Sequence, residues 1–342
     1  LPNKNSYKYA FLALLILLVI CFFINISLGS ISIPNSTIIQ SFFGELEHNS
    51  WQYIIMDYRL PKAITAIIVG SGLGISGLMM QTLFRNPLAG PFVLGITSGA
   101  SLGVALITMG TSLFGSTLIL LLGSKWSMVL GATFGSFLVL FTVLIVSLKV
   151  RDAMAILIIG LMFGSISAAV VSILSYFSSA AELQQYVFWG FGSLGNLTWP
   201  ELSILSSIYT LGILLSVFSI KSLNSLLLGE NYAKSLGLNI KRGRIIIIIA
   251  TSFLAGSITA FTGPIAFVGL AIPHLTRQVF NTSNHKILLP AVFILGAIIM
   301  LICDSIAQLP SSELTLPINA ITSLIGAPVV IWLLVRKRKM MF

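Results

Sequence analysis

Charge is what this 342-residue chain has least of: Asp, Glu, Lys and Arg make up 8% of it, against about 25% in soluble domains. That shortage excludes a soluble fold and makes lipid the solvent for most of the surface. Cysteine is nearly absent. Cys21 and Cys303 lie in separate apolar runs, so no disulfide framework or metal site is implied and both read as packing residues. The three histidines, His48, His274 and His285, are scattered. A GxxxxGK[ST] phosphate loop, an HExxH pair and a carboxylate pair are all missing. The chain is therefore not expected to be an enzyme, to hydrolyse ATP by itself, or to need a cofactor or metal. Strict alternation is also lacking in runs such as residues 10–24, which argues against a membrane β-barrel.

What is there is apolar: 56% of the residues are hydrophobic, in runs close to the ~20 residues a helix needs to cross a bilayer. Ten spans are expected, at about 9–28, 60–84, 92–109, 117–148, 153–177, 200–220, 245–262, 265–279, 287–308 and 316–335. A cleaved signal peptide competes for the first, but no small-x-small site follows promptly, so that span is expected to be retained. Residues 29–58 read as a loop with a short surface helix. The run 111–150 is ambiguous, reading either as one span from about 117 or as a loop or turn at Gly123, Ser124 and Lys125 before the true span, and Pro273 predicts an irregular segment in the eighth. Gly72-x-Gly74-x-x-Gly77 matches a dinucleotide fingerprint as a string, but no strand precedes it. Gly70/Gly74, Gly99/Gly103, Gly131/Gly135 and Gly160/Gly164 instead have the small-xxx-small spacing of closely packed membrane helices.

The stretch Gln81–Ser101, QTLFRNPLAGPFVLGITSGAS, organises the rest. Arg85 is the one basic residue between Lys62 and Lys125, and Pro87 and Pro91 forbid a continuous helix. A looser break recurs at Gly263–Pro273, and Gly90-Pro91 and Gly263-Pro264 are each expected to open a short helix. With the N-terminus inside, sixteen of the nineteen basic residues fall on the inner side, leaving Arg59, Lys62 and Lys125 outside. That asymmetry fixes ten spans and accounts for the net charge of +10 without nucleic acid. Five spans per half would orient the halves oppositely, as in transporters built from inverted repeats with broken helices. The fold class expected is an all-α polytopic membrane protein with about ten transmembrane helices in two inverted five-helix halves, the whole chain (1–342) forming one permease domain. The inner loop at 221–244 has an amphipathic centre from Leu226 to Leu236, closed by Gly237. It reads either as an interfacial helix or as a docking helix for a soluble partner.

Together with RLPK (Arg59–Lys62), NPLAGPFVLG (Asn86–Gly95), GPIAFVGLAIPH (Gly263–His274) and LIGAPVVIWLL (Leu324–Leu334), this loop resembles the permease subunits of binding-protein-dependent (type II) ABC importers for iron–siderophore complexes, haem and cobalamin. The likeness runs from about residue 9 to 336. It implies a homodimer, or a pair with a homologous permease, in the bacterial inner membrane. Its partners would be ATP-binding cassette ATPase subunits below and a periplasmic or lipid-anchored substrate-binding protein above. By resemblance, Leu228, Gly229, Glu230, Ala233, Leu236 and Gly237 dock on the ATPase, and Arg59 and Lys62 meet acidic residues of the binding protein. Asn86, Leu88, Asp152, Ala153 and Met154 mark the cytoplasmic gate. A further basic position in some members is Gln308 here, and Lys62 lacks the bidentate fork of an arginine. The expected cargo is a bulky iron chelate, with haem or cobalamin as alternatives. An ion-coupled secondary transporter is the rival class; it would need ionisable residues in the membrane, and Asp304 alone is well placed.

Overall fold

No water reaches backbone N–H and C=O groups in a lipid core, so each apolar run satisfies its own by coiling. The structure, a computed structural model, describes residues 4–29, 31, 33–43, 50–110, 125–150, 153–235, 237–308 and 314–335, with no strand among them. In chain order the helices are α1 (Lys4–Ser27), α2 (Asn35–Phe43), α3 (Ser50–Tyr53), α4 (Leu60–Leu83), α5 (Ile96–Thr108), α6 (Lys125–Lys149), α7 (Ala153–Phe177) and α8 (Ala180–Gly190). There follow α9 (Trp199–Phe218), α10 (Ile220–Leu227), α11 (Glu230–Ser235), α12 (Ile240–Thr251), α13 (Ser257–Thr262), α14 (Val268–Phe280), α15 (His285–Ala307) and α16 (Ile318–Val335). π-helical turns at Ile54–Arg59 and Ser252–Gly256 join α3 to α4 and α12 to α13.

Among the described residues, seven helical stretches are long and apolar enough to cross a membrane: α1, α3–α4, α6, α7, α9, α12–α13 and α15. The shorter α5, α14 and α16 occupy the other three expected spans. At 13 residues α5 is about 20 Å long, short of a ~30 Å core. Its approach through Val93, Leu94 and Gly95 is buried in protein, the condition under which irregular backbone survives at membrane depth.

Contacts divide the chain into two compact units, one of Leu1–Ile75, Ser193–Ser207 and Ile265–Met341, the other containing Ser76–Gly192 and Ile208–Pro264. These units are interleaved along the chain rather than being its first and second halves. In the first, Tyr7 and Phe11 of α1 stack on Phe280 of α14 at ring distances of 6.1 and 4.8 Å. Gly70 of α4 lies directly against the Gly296 carbonyl of α15, so a Cβ on either glycine would collide with backbone. In the second, Gly99 and Gly103 of α5 meet Gly135 and Gly131 of α6 in the same way, and Gly160 of α7 sits on the Val93 carbonyl. The small-residue pairs read from the sequence are thus real contact points, except that Gly164 only approaches Ser98.

Three local expectations are decided or changed. The described part of the fourth span runs from Lys125 to Lys149; residues 111–124 lie outside the described residues. Pro273 does not break α14, which runs through it from Val268 to Phe280 and forgoes one backbone hydrogen bond. Gly90-Pro91 opens a 3-10 turn, Pro91–Leu94, ended by Gly95 at φ 74°, but Gly263-Pro264 opens no helix. The chain there stays irregular until Phe267, held at φ 63°, leads into α14.

Candidate functional site

The RLPK motif sits where the π-turn meets α4. A π-turn inserts extra backbone and re-aims the side chains that follow; here it turns Arg59 inward, leaving it 6% exposed. Its Nη1 donates to the carbonyls of Ile26 (2.9 Å) and Ser27 (3.0 Å), and Nη2 to that of Ile31 (2.5 Å). Ile26 and Ser27 end α1, whose last carbonyls have no helical partner. A cation at that terminus also complements the helix dipole. Gly29 is required nearby, because a Cβ there would lie 2.7 Å from Arg59 Nη2.

One turn on, Lys62 Nζ pairs with Asp304 Oδ1 of α15 at 3.2 Å, with side-chain exposures of 12% and 3%. The other carboxylate oxygen, Oδ2, accepts from Asn25 Nδ2 (2.9 Å) and Gln308 Nε2 (2.8 Å). The carboxylate therefore ties α1, α4 and α15 together, and Gln308 serves it as a donor. A cavity of about 300 Å³ adjoins this cluster, lined among others by Tyr53, Tyr58, Arg59 and Lys62. Docking through Arg59 would require it to leave three carbonyls, and docking through Lys62 would require it to share or leave Asp304.

The second candidate region lies in the other unit. The expected single docking helix is instead two short helices, α10 and α11, meeting at an elbow. Gly229 permits the break: its φ of +110° is one that L side chains rarely adopt. Leu226 is buried while Leu228 (63%) and Tyr232 (53%) are exposed, so the elbow presents two large apolar side chains outward. Ala233 is buried beneath, and Gly237, at φ +76°, ends the segment. Glu230 begins α11, and Leu236 lies outside the described residues.

The end of α4 grips this elbow. Arg85 Nε and Nη2 both donate to the Leu226 carbonyl, at 3.2 and 2.7 Å. Nη2 also lies 3.2 Å from where a Cβ on Gly229 would be. Immediately beyond, Asn86 Oδ1 accepts from the Leu88 N–H at 2.9 Å, and the Asn86 N–H donates to the Gln81 carbonyl at 3.1 Å, forming an Asx turn. Leu88 and Met154, the latter near the start of α7, are exposed at 42% and 47%. Ala153 is the first residue of α7, and Asp152 lies outside the described residues. The Val150 carbonyl just before it accepts from Arg244 Nη1 at 3.3 Å.

The sequence therefore points to Arg59, Lys62, Asn86, Leu88 and the 221–244 loop, but not to its elbow or to what holds these residues. Asp304 and Lys62 are 242 positions apart, and Arg85 and Leu226 are 141 apart. The one available signal for the second contact was the isolation of Arg85 among apolar residues.

Comparison with known proteins agrees with these motifs. Residues 17–336 match the FecCD transport family. The chain is 34% identical over 339 residues to the vitamin B12 import system permease protein BtuC of Klebsiella pneumoniae, covering 99% of this chain and 96% of that one. It is 33% identical over 327 residues to the hemin transport system permease protein HmuU of Yersinia pestis, covering 95% of each. A solved inward-facing ABC transporter assigned to the metal-chelate type superposes with a TM-score of 0.82 at 32% identity, over 96% of this chain and 99% of that one. A multi-pass, all-helical chain matched from end to end in this way belongs to the FecCD transport family and is a membrane permease of the type II ABC importers.

Proposed function

We propose that the chain is the permease subunit of a binding-protein-dependent importer that carries a bulky metal chelate, an iron siderophore in the first instance, across a bacterial inner membrane. It works as a single permease domain paired with a second copy of itself. A separate pair of ATPase subunits drives it from the inner side. The observation that carries the reading is the elbow: Leu228 and Tyr232 stand exposed where two short helices meet, in a loop that holds five of the sixteen inner basic residues. An apolar knob on a charged inner loop suits a cleft on a soluble partner. Lys62, with Arg59 beside it, is the contact for the binding protein's acidic residues, and Asn86, Leu88, Asp152, Ala153 and Met154 form the inner gate.

Haem or vitamin B12 is the second reading for the cargo, because permeases named for those ligands are among the relatives. The ion-coupled rival loses ground on Asp304, whose carboxylate is committed to Lys62, Asn25 and Gln308.

The test is reconstitution in vesicles with and without a cognate ATPase. The expected outcome is no ATP hydrolysis by the purified chain alone and ATP-dependent import with ATPase and binding protein present. Solute accumulation driven by an ion gradient in vesicles of this chain alone would end the proposal. Thermal-shift screening of the binding protein against iron chelates, haem and cobalamin then chooses the cargo.

A further inference from the structure

The Arg85 contact bears on how a push on the elbow reaches the rest of the unit. Arg85, in the turn two residues past the end of α4, sits in the left-handed region at φ 47°, a conformation that non-glycine residues adopt rarely and that marks functional sites more often than chance. Its guanidinium does not reach a carboxylate. It closes on the backbone, with two N–H groups on the Leu226 carbonyl in the last turn of α10. Arg is the side chain that can do this, because its donors are fixed in a planar fork, whereas the lysine ammonium is a point charge on a flexible stem.

Three features make this a link between moving parts rather than packing alone. Leu226 is three residues from Gly229, the pivot of the elbow. The glycine leaves room for the guanidinium, since a Cβ there would stand 3.2 Å from Nη2. On the other side, one peptide bond separates Arg85 from Asn86, whose side chain fixes the turn that presents Leu88. Nearby, Ser219 Oγ makes a soft contact to Met79 Sδ of α4 at 3.9 Å. Arg85 thus stands directly between the Leu226 carbonyl of α10 and the Asn86–Leu88 turn.

From this geometry we infer that Arg85 is the positioning residue that couples the ATPase-facing elbow to the turn carrying Leu88, so that movement of α10–α11 reorients Leu88. The inference rests on the reading of the elbow as the ATPase contact, and the experiment separates the two. The assembled permease–ATPase complex is used, with one reporter cysteine at a time. Cys21 and Cys303 are buried at 8% and 1% exposure and give a low labelling background.

Leu228→Cys reports docking, as protection from a maleimide by the ATPase. Leu88→Cys reports coupling, as a change in labelling rate on adding ATP with vanadate. With Arg85 intact, protection at 228 and a several-fold ATP-dependent change at 88 are expected. Arg85→Ala should keep the ATPase bound and hydrolysing while the change at 88 falls to none. Arg85→Lys, which retains one donor, should restore part of it. A side chain that only stabilised the fold would lower assembly and hydrolysis together without selectively silencing the reporter at 88. A full ATP-dependent change at 88 in Arg85→Ala, with 228 still protected, overturns the inference alone. Absence of protection at 228 in the parent complex overturns the docking reading and the inference with it. Should Arg85→Ala lose the ATPase altogether, Arg85→Lys decides: an undiminished response at 88 in that variant counts against a forked grip on Leu226.

Discussion

Arg59 and Arg85 do the same chemical job in two units of the molecule, each donating to backbone carbonyls at a helix end, yet they do it under opposite conditions. Arg59 is 6% exposed and is bound to three carbonyls. Arg85 is exposed and holds one. A buried guanidinium has lost its water, so every unmet donor is costly and the site is saturated. An exposed one can trade its carbonyl for water at little cost. The first arrangement locks a helix end and the second is a grip that can be released, which is what a static anchor and a moving link respectively require.

The sharpest way to break this comparison is Arg59→Ala. Three carbonyls lose charge-assisted donors worth about 1.5–3 kcal/mol each. The loss is not additive, and a destabilisation of roughly 4–6 kcal/mol is expected, read as a large fall in the thermal midpoint in detergent. Arg59→Lys should recover only a part of it, since a single ammonium cannot span the fork. If Arg59→Ala kept its midpoint and lost only capture of the binding protein, Arg59 would serve docking without anchoring the end of α1, and the contrast with Arg85 would fail.

The Asp304 cluster gives the next effect. Removing one member of a buried ion pair strands the other, at about 3–5 kcal/mol, while replacing both with apolar residues is often near neutral. Asp304→Ala and Lys62→Met are each expected to be strongly destabilising, and Lys62→Met with Asp304→Leu to recover most of the loss. A double-mutant cycle in thermal midpoints checks this. Additive single effects would show that Lys62 and Asp304 do not act as a pair. The same double variant sharpens the docking proposal, because it removes the Lys62 charge without stranding a carboxylate. Reduced capture of the binding protein by a well-folded double variant supports Lys62 as the contact, and undiminished capture removes it.

What could be read in the sequence divides along the same line. Spans, small-residue contacts and the elbow's position follow from local pattern: run length, spacing of four, a loop rich in one charge. Each expected span has its helix, and Gly70, Gly99 and Gly103 pack as their spacing suggested. Partner choice is not local. Nothing in the order of residues says that Asp304 answers Lys62, that Gln308 serves as its donor, or that a π-turn swings Arg59 toward α1. The break of the docking segment was within reach, because Gly229 was visible. An amphipathic count across Leu226–Leu236 nevertheless smooths over one residue at φ +110°. Pro273 did not make its own part of the span irregular because a membrane helix can forgo one hydrogen bond where neighbouring protein supports it.

The smallest stability effect belongs to Arg85, and its smallness is the point. Arg85→Ala frees one carbonyl at a place where water can replace the lost donor. It also removes a long side chain whose ordering has an entropic cost. A change of about 1 kcal/mol or less is expected, a shift of a few degrees in the thermal midpoint, against the much larger drop for Arg59→Ala. The two variants should thus separate cleanly: one protein that folds poorly, and one that folds well and transmits poorly. Comparable losses of stability in both would mean that the Leu226 carbonyl depends on Arg85 as the end of α1 depends on Arg59. The elbow would then be a fixed part of its unit, unable to move against the turn at Asn86.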